Sequence, residues 1–310
     1  MKVNFKSTAL LVFLAFVLTL VLATGSVAAT AGSHYPSGGN EGVLAASIPP
    51  PGVYYRIYLT KFNATKTTDN AGDVIDGDFD LDVFAITHRF VRVTNIKIFG
   101  ADFLYQIIAP LADTSIEAFG VISDSRSLSL GDVSGEIDLS WHKPRWDALL
   151  GVSVTAPTGE YDADKPASPG LGYWTGQFVL GGVYYFDTLK TWSLSALSRV
   201  MFHTEQEDTN VRPGSEFCVD YGLGKEVPIN SSWSIRPGIT GTTYWQISDD
   251  SDDGVGTVKD ERKKAYNMGA EINFTYIPKM LSIDLRASRD FASENTSEGS
   301  RFVVTMTKAF

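Results

Sequence analysis

RFVVTMTKAF, residues 301–310, is the stretch on which the fold turns. Laid out as a strand, it puts Phe302, Val304 and Met306 on one side and Thr305 and Thr307 on the other, because successive side chains alternate. The sequence then stops on an aromatic residue, Phe310. A soluble domain has little use for a last strand with an apolar outer face. A transmembrane barrel needs one, since its last strand pairs with its first and abolishes the sheet edges. Lys308 interrupts the apolar side and is expected to snorkel toward lipid headgroups. One strand of a soluble sandwich is the rival reading of the same ten residues.

The rest of the chain decides between them. From Gly52 onward, apolar and polar residues alternate between turn signals, and no long stretch has helical period. Twelve strands are expected, near 52–62, 78–92, 97–109, 131–142, 145–156, 172–186, 191–203, 215–226, 232–248, 263–276, 280–291 and 300–310. Short turns are expected at Thr94-Asn95, Lys143-Pro144, 187–190, 228–231 and Pro278-Lys279. Long loops are expected near 63–77, 110–130, 157–171, 204–214, 249–262 and 292–299. Short turns on one side, long loops on the other and an even strand count are the layout of a bacterial barrel, with both termini in the periplasm. Trp141, Trp146, Trp192 and Trp233 fall beside short turns, and Trp174 and Trp245 toward long loops. Two aromatic girdles suit an apolar band in a bilayer. The expected class is therefore all-β, a transmembrane antiparallel β-barrel of about twelve strands in the bacterial outer membrane.

The N-terminus agrees with export. Residues 1–31 read as a signal peptide: Lys2 and Lys6, an apolar run from Ala9 to Leu22, then small residues at Ala28, Ala29 and Ala31. Its only charges are those two lysines, so its removal takes the formal net charge from −10 to −12. That balance argues against nucleic acid as a partner. Cys218 is the only cysteine, which rules out a disulfide framework and is expected to be a shielded thiol. Residues 32–51, rich in Gly, Ser and Pro, read either as a periplasmic leader or as a plug threaded into the lumen. In the second reading His34-Tyr35-Pro36 is the contact end. The barrel proper is 52–310.

Several motifs carry a resemblance. HYPSGGNEG (34–42), PPPGVYYRIY (49–58), PTGEYD (157–162), GYW (172–174), YYFD (184–187), RPGSEFCVDYGLG (212–224) and the end from Leu285-Arg286 through Glu294-Asn295 to Phe310 span nearly all of the mature chain. Together they resemble the bacterial outer-membrane family of meta-pathway phenol degradation proteins. The C-terminal strand also resembles the one by which the barrel-insertion machinery recognises its clients. The resemblance implies a channel for passive uptake of small hydrophobic, phenol-like aromatic compounds, with no catalytic residues and no cofactor. Outer-membrane lipid and lipopolysaccharide are expected neighbours. The alternatives are a structural or adhesion barrel with a sealed lumen, and an outer-membrane enzyme hydrolysing lipid or peptide.

Strand parity points Arg56, Asp80, Asp82, Asp138, Arg199, Glu216, Asp220, Arg236, Glu271, Asp284, Arg286 and Arg301 inward, with Tyr54, Tyr58 and Tyr244 as inward aromatics. Mixed signs inside a barrel are expected to form a satisfied network rather than a selectivity ring. Arg56, Tyr58, Arg199, Glu216, Asp220, Arg236, Tyr244, Glu271, Asp284 and Arg286 are the candidates for solute contact. Of the four histidines, His34, His88, His142 and His203, none has a Ser or Asp at a spacing that suggests a triad. His203 stands near Glu205, Glu207 and Asp208, which read as a solvated loop, a surface dyad or a metal site. In the fifth long loop, Asp249, Ser251, Asp253, Gly254 and Asp260 match part of a Ca²⁺-loop spacing, making Asp249, Asp253 and Asp260 candidate metal ligands.

Overall fold

The computed structural model describes residues 32–209, 211–252, 256–258 and 261–310. The signal peptide falls outside these residues, as do Asp253 and Asp260 of the candidate metal loop. Among the described residues, twelve antiparallel strands make the barrel wall: β1 (Gly52–Thr67), β2 (Phe79–Ile98), β3 (Ala101–Ala118), β4 (Val133–His142), β5 (Trp146–Ala156), β6 (Thr175–Tyr185), β7 (Trp192–His203), β8 (Glu216–Lys225), β9 (Trp233–Gln246), β10 (Lys264–Tyr276), β11 (Leu281–Glu294) and β12 (Ser297–Ala309). Each pairs with its sequence neighbour. β12 then pairs back onto β1, from Ala309 opposite Tyr54 to Ser300 opposite Asn63. The wall is closed, which leaves no edge to satisfy in lipid.

Alternation makes the wall two-faced. Ile137, Leu150, Phe178, Leu180, Phe202 and Ile239 point outward and are exposed, whereas Asp138, Ser140, Arg199, Asp220, Thr242 and Asn267 point inward and are buried. That is a soluble sandwich turned inside out, so the soluble rival falls. Trp146, Trp192 and Trp233 ring the short-turn end on the outside, with Trp174 and Trp245 toward the other. Cys218 is free and buried.

Three connections differ from expectation. The first turn is at Phe99-Gly100, both with positive φ, and Thr94-Asn95 sits in a bulge between Val93 and Lys97. Positive φ at both central residues is the hairpin geometry that matches strand twist. The expected loop 110–130 is a hairpin: β3 continues to Ala118, and Ile122–Leu130 returns against it. The expected loop 292–299 shrinks to Asn295 and Thr296 between β11 and β12. The cause is common to the last two. Alternation of apolar residues marks a strand only where one face meets lipid, and β3, β11 and β12, at 18, 14 and 13 residues, outrun the ~9–11 needed to cross. Beyond the bilayer a strand is held by backbone hydrogen bonds and polar side-chain pairs such as Lys66–Glu298 and Lys264–Glu294, and carries no such pattern.

Candidate functional site

The inside of the wall is occupied by residues 32–51, which run along the lumen from the long-loop end to the short-turn end. The path can be followed contact by contact. At the long-loop end the Tyr173 hydroxyl donates to the Gly32 carbonyl. Ser33 Oγ donates to Glu216 at 2.5 Å. His34 bridges Asp132, 2.8 Å from Nε2, and the Thr175 hydroxyl, 2.6 Å from Nδ1. The same hydroxyl is 2.8 Å from His203 Nδ1, and the Tyr173 ring packs edge-on against both imidazoles. Burial pushes the Asp132 carboxyl up, but the His34 hydrogen bond and the backbone N–H groups of Leu171 and Gly159 outweigh it and hold the group below its ordinary value.

Deeper in, the Tyr35 hydroxyl donates to Asp220, and the Arg199 guanidinium lies 4.3 Å from the Tyr35 ring centre. Asp220 also accepts from Arg199 and Thr242, each at 2.7 Å. Arg286 donates to the carbonyls of Asn40 and Glu41, and Arg301 to that of Gly39. The Glu41 carboxylate meets three guanidiniums, Arg89 at 2.6 Å, Arg199 at 3.5 Å and Arg56 at 3.6 Å. Past it, Val43 donates its N–H to Glu271 at 3.0 Å, and its carbonyl accepts from Ser195 at 2.6 Å. At the short-turn end Ser47 donates to Asp147 at 3.0 Å, and β1 begins five residues later.

Shape matches as closely as charge. A Cβ on Gly38, Gly39 or Gly42 would strike Arg301, Thr242 or Glu271, and Gly39 also has φ +70°. On the wall, Gly222, Gly224 and Gly238 leave the slot that Val43 fills. Ala45 and Ala46 pack on Leu149, Val179, Val183 and Leu197. Beside Glu41 a cavity of about 80 Å³ remains, lined among others by Tyr35, Tyr58, Arg89, Ile108, Glu136 and Arg199.

The predicted residues can now be placed. Arg56, Arg199, Glu216, Asp220, Glu271 and Arg286 all touch residues 32–51. Tyr58 is buried and accepts from Arg89 at 3.0 Å, while Tyr244 donates to Glu216 at 2.6 Å. Arg236 and Asp284 face the lumen nearer the short-turn end, 4.0 Å apart, with Arg236 also 3.4 Å from Glu226. Asp80 and Asp82 do not face inward. Asp82 stands opposite Asn63, on the outer face, and pairs with Lys61. The assumed parity of β2 was off by one residue, and such a slip moves every side chain to the other face. It hid Arg89. The corrective signal lay in the strand itself, since Phe84, Ile86 and Phe90 form the more lipid-like face.

Two further expectations change. The described chain begins at the long-loop end, so Gly32 is not at the periplasmic side where the terminus was expected. Asp249 is 2.6 Å from Arg262, an ion pair rather than an open ligand, and its two companions lie outside the described residues. A serine chain also appears that spacing alone did not suggest: Ser140 Oγ lies 3.1 Å from His142 Nε2, and His142 Nδ1 lies 3.2 Å from Asp147. Ser140 is fully buried, and Asp147 also accepts from Ser47, Tyr185 and Lys190. No substrate carbonyl can reach that hydroxyl, so the chain ties the short-turn end together. His88 is on the outer face, hydrogen-bonded to Tyr55 at 2.6 Å.

The family model described as "Putative MetA-pathway of phenol degradation" matches residues 64–306. The chain belongs to this family. Among solved structures it is similar to an outer membrane channel from Pseudomonas putida F1, at 16% identity and TM-score 0.75, covering 87% of this chain and 100% of that one. It is less similar to the β domain of the Bordetella autotransporter BrkA, at 13% identity and TM-score 0.52, covering 84% and 99%. The translocator domain of the autotransporter NalP from Neisseria meningitidis gives 8% identity and TM-score 0.51, covering 86% and 91%. At such identities the likeness is one of fold. No curated protein sequence matches. Family and fold together make this phenol-degradation family member a bacterial outer-membrane β-barrel; in bacterial barrels of this layout the long loops face the outside.

Proposed function

We propose that the barrel passes small hydrophobic, aromatic, phenol-like solutes across the outer membrane by diffusion, and that residues 32–51 are a plug that regulates the passage. The observation that carries this reading is the manner in which the lumen is filled. Much of the filling is a single segment continuous with β1 and held against the wall side chains by hydrogen bonds, ion pairs and one apolar slot. A segment attached at one end can leave the bore while the hydrogen-bonded wall stays closed. The family's connection with phenol degradation and the lumen tyrosines, Tyr58 and Tyr244, favour an aromatic solute. Twelve strands leave less room than the ~16–18 of a general porin, so selective uptake with little ion conductance is expected. The filled bore also favours a second reading, a structural or adhesion barrel whose lumen stays sealed.

Uptake separates the two. A deletion strain should accumulate phenol and toluene more slowly than the parent, and a copy of the gene should restore the rate. Parental rates in the deletion strain would exclude the uptake role, and a large unselective conductance of the purified protein would make it a general porin.

A further inference from the structure

Building on that uptake role, we infer that Arg56, Arg89 and Arg199 form the seat for the carboxylate of an aromatic acid, and that Glu41 occupies this seat in the solute's place while the plug is docked. Three strands, β1, β2 and β7, send one guanidinium each to the same carboxylate, at 3.6, 2.6 and 3.5 Å. Arg199 has a second partner on the wall, Asp220 at 2.7 Å. Arg56 and Arg89 have none: among the described residues, Glu41 is the only carboxylate within ion-pair distance of either. Arg89 is held in place independently of the plug, since its Nε donates to Gln106 at 2.7 Å and an Nη to Tyr58 at 3.0 Å. The wall thus presents a cationic pair, Arg89 held by its own neighbours and Arg56 over the Tyr58 ring, that the Glu41 carboxylate pairs with.

Withdrawal of the plug strips both guanidiniums of their one direct ion-pair partner inside a confined bore, leaving only the more distant wall carboxylates Asp284 near Arg56 and Glu136 near Arg89. Uncompensated buried charge is costly, so the open lumen draws another anion onto the same place. A planar guanidinium array favours a carboxylate, which it can grip through two oxygens. The surroundings set the rest of the molecule. Tyr58 lies under Arg56, 5.1 Å from ring centre to guanidinium, and the plug's own Tyr35 ring lies against Arg199. When the plug leaves, the space of the Tyr35 ring merges with the adjoining cavity. Arg199 links the two places, touching Glu41 with one terminal nitrogen and Asp220, the acceptor of the Tyr35 hydroxyl, with the other. A carboxylate and an aromatic ring therefore fit within the length of one small molecule. Solute and plug exclude each other, so a bound acid favours the open state by its differential affinity.

The test uses the full-length protein and Glu41→Gln in planar bilayers, with benzoate, phenol, benzylamine and acetate as probes. Glu41→Gln is expected to prefer anions by reversal potential. Benzoate should reduce its current at about a tenfold lower concentration than the other three. Wild type should need more benzoate than the variant, because Glu41 competes. Adding Arg89→Gln to Glu41→Gln should erase the preference for benzoate, with heat-modifiable gel migration confirming that the barrel is folded. If Glu41→Gln carries no current, its melting temperature in detergent replaces the blockade readout, and benzoate should raise it more than it raises that of wild type. Equal effects of benzoate and phenol would overturn the carboxylate seat while leaving aromatic uptake intact. Equal effects of benzoate and acetate would overturn the aromatic class, and equal effects of benzoate and benzylamine would overturn the charge argument. A deletion strain that takes up phenol normally but benzoate slowly would keep the seat and remove phenol from the proposed function.

Discussion

The two halves of the plug are held by different physics. From Gly32 to Glu41 the contacts are polar: His34 on Asp132, Tyr35 on Asp220, three arginines on Glu41. From Val43 to Ala46 the side-chain contacts are apolar and steric, with Val43 between wall glycines and Ala46 against Gly181. The outer half is directional and depends on partners being charged and placed. The inner half depends chiefly on volume, with the Val43 backbone also tied to Glu271 and Ser195. On the uptake role proposed above, a plug built this way would loosen from the long-loop end while its inner half stays seated beside the point of attachment to β1.

The comparison can be broken most severely by deleting residues 32–46, which removes both halves. Single-channel conductance should rise from little or none to a steady open level, while heat-modifiable migration shows the wall still closed. A folded barrel with unchanged conductance would mean that the bore is blocked by the wall itself.

Filling the inner slot comes next. Gly222→Val places methyl groups where the Val43 backbone lies, and should expel the inner half at a cost of about 1–3 kcal/mol or more. Val43→Ala leaves a void there and should cost about 2 kcal/mol. Both should lower the melting temperature in detergent to the same extent at high and low salt.

A smaller effect is expected from the outer half. Tyr35→Phe removes the hydroxyl that donates to Asp220, a hydrogen bond to a charged group worth about 1.5–3 kcal/mol, partly offset by the remaining donors Arg199 and Thr242. The melting temperature should fall modestly and protease access to 32–41 should increase, with the inner half still protected.

The smallest effect is that of pH on Asp132. Its carboxyl is held below the ordinary value of 3.8, so its contribution is present above that value and is lost as pH falls below it. Through the Asp132 carboxylate, docking of the outer end should weaken below about pH 4. Asp132→Asn should remove that acid dependence. A variant that keeps it would assign the titration to another group.

The sequence by itself determined the class of wall, the number of strands and most of the inward residues. Those properties follow from a local rule: where one face meets lipid, each residue's type reports its side. Arg56, Arg199, Asp220, Glu271 and Arg286 were legible on that ground, as was the burial of Cys218. The rule failed where it had no purchase, in β2 with its mixed faces and in the hairpin above the bilayer. Only the tertiary structure decided what fills the bore. HYPSGGNEG alternates with nothing and meets neither lipid nor a paired strand, so no period marks it. Its partners lie far along the chain: Arg89 is 48 residues from Glu41, Arg301 is 262 from Gly39, and the slot for Val43 is built from glycines on β8 and β9. Glu41 had no readable role because a lone carboxylate in a glycine-rich stretch looks solvated. Closing the barrel is what gathers three arginines from separate strands around one point, and that convergence exists only in three dimensions.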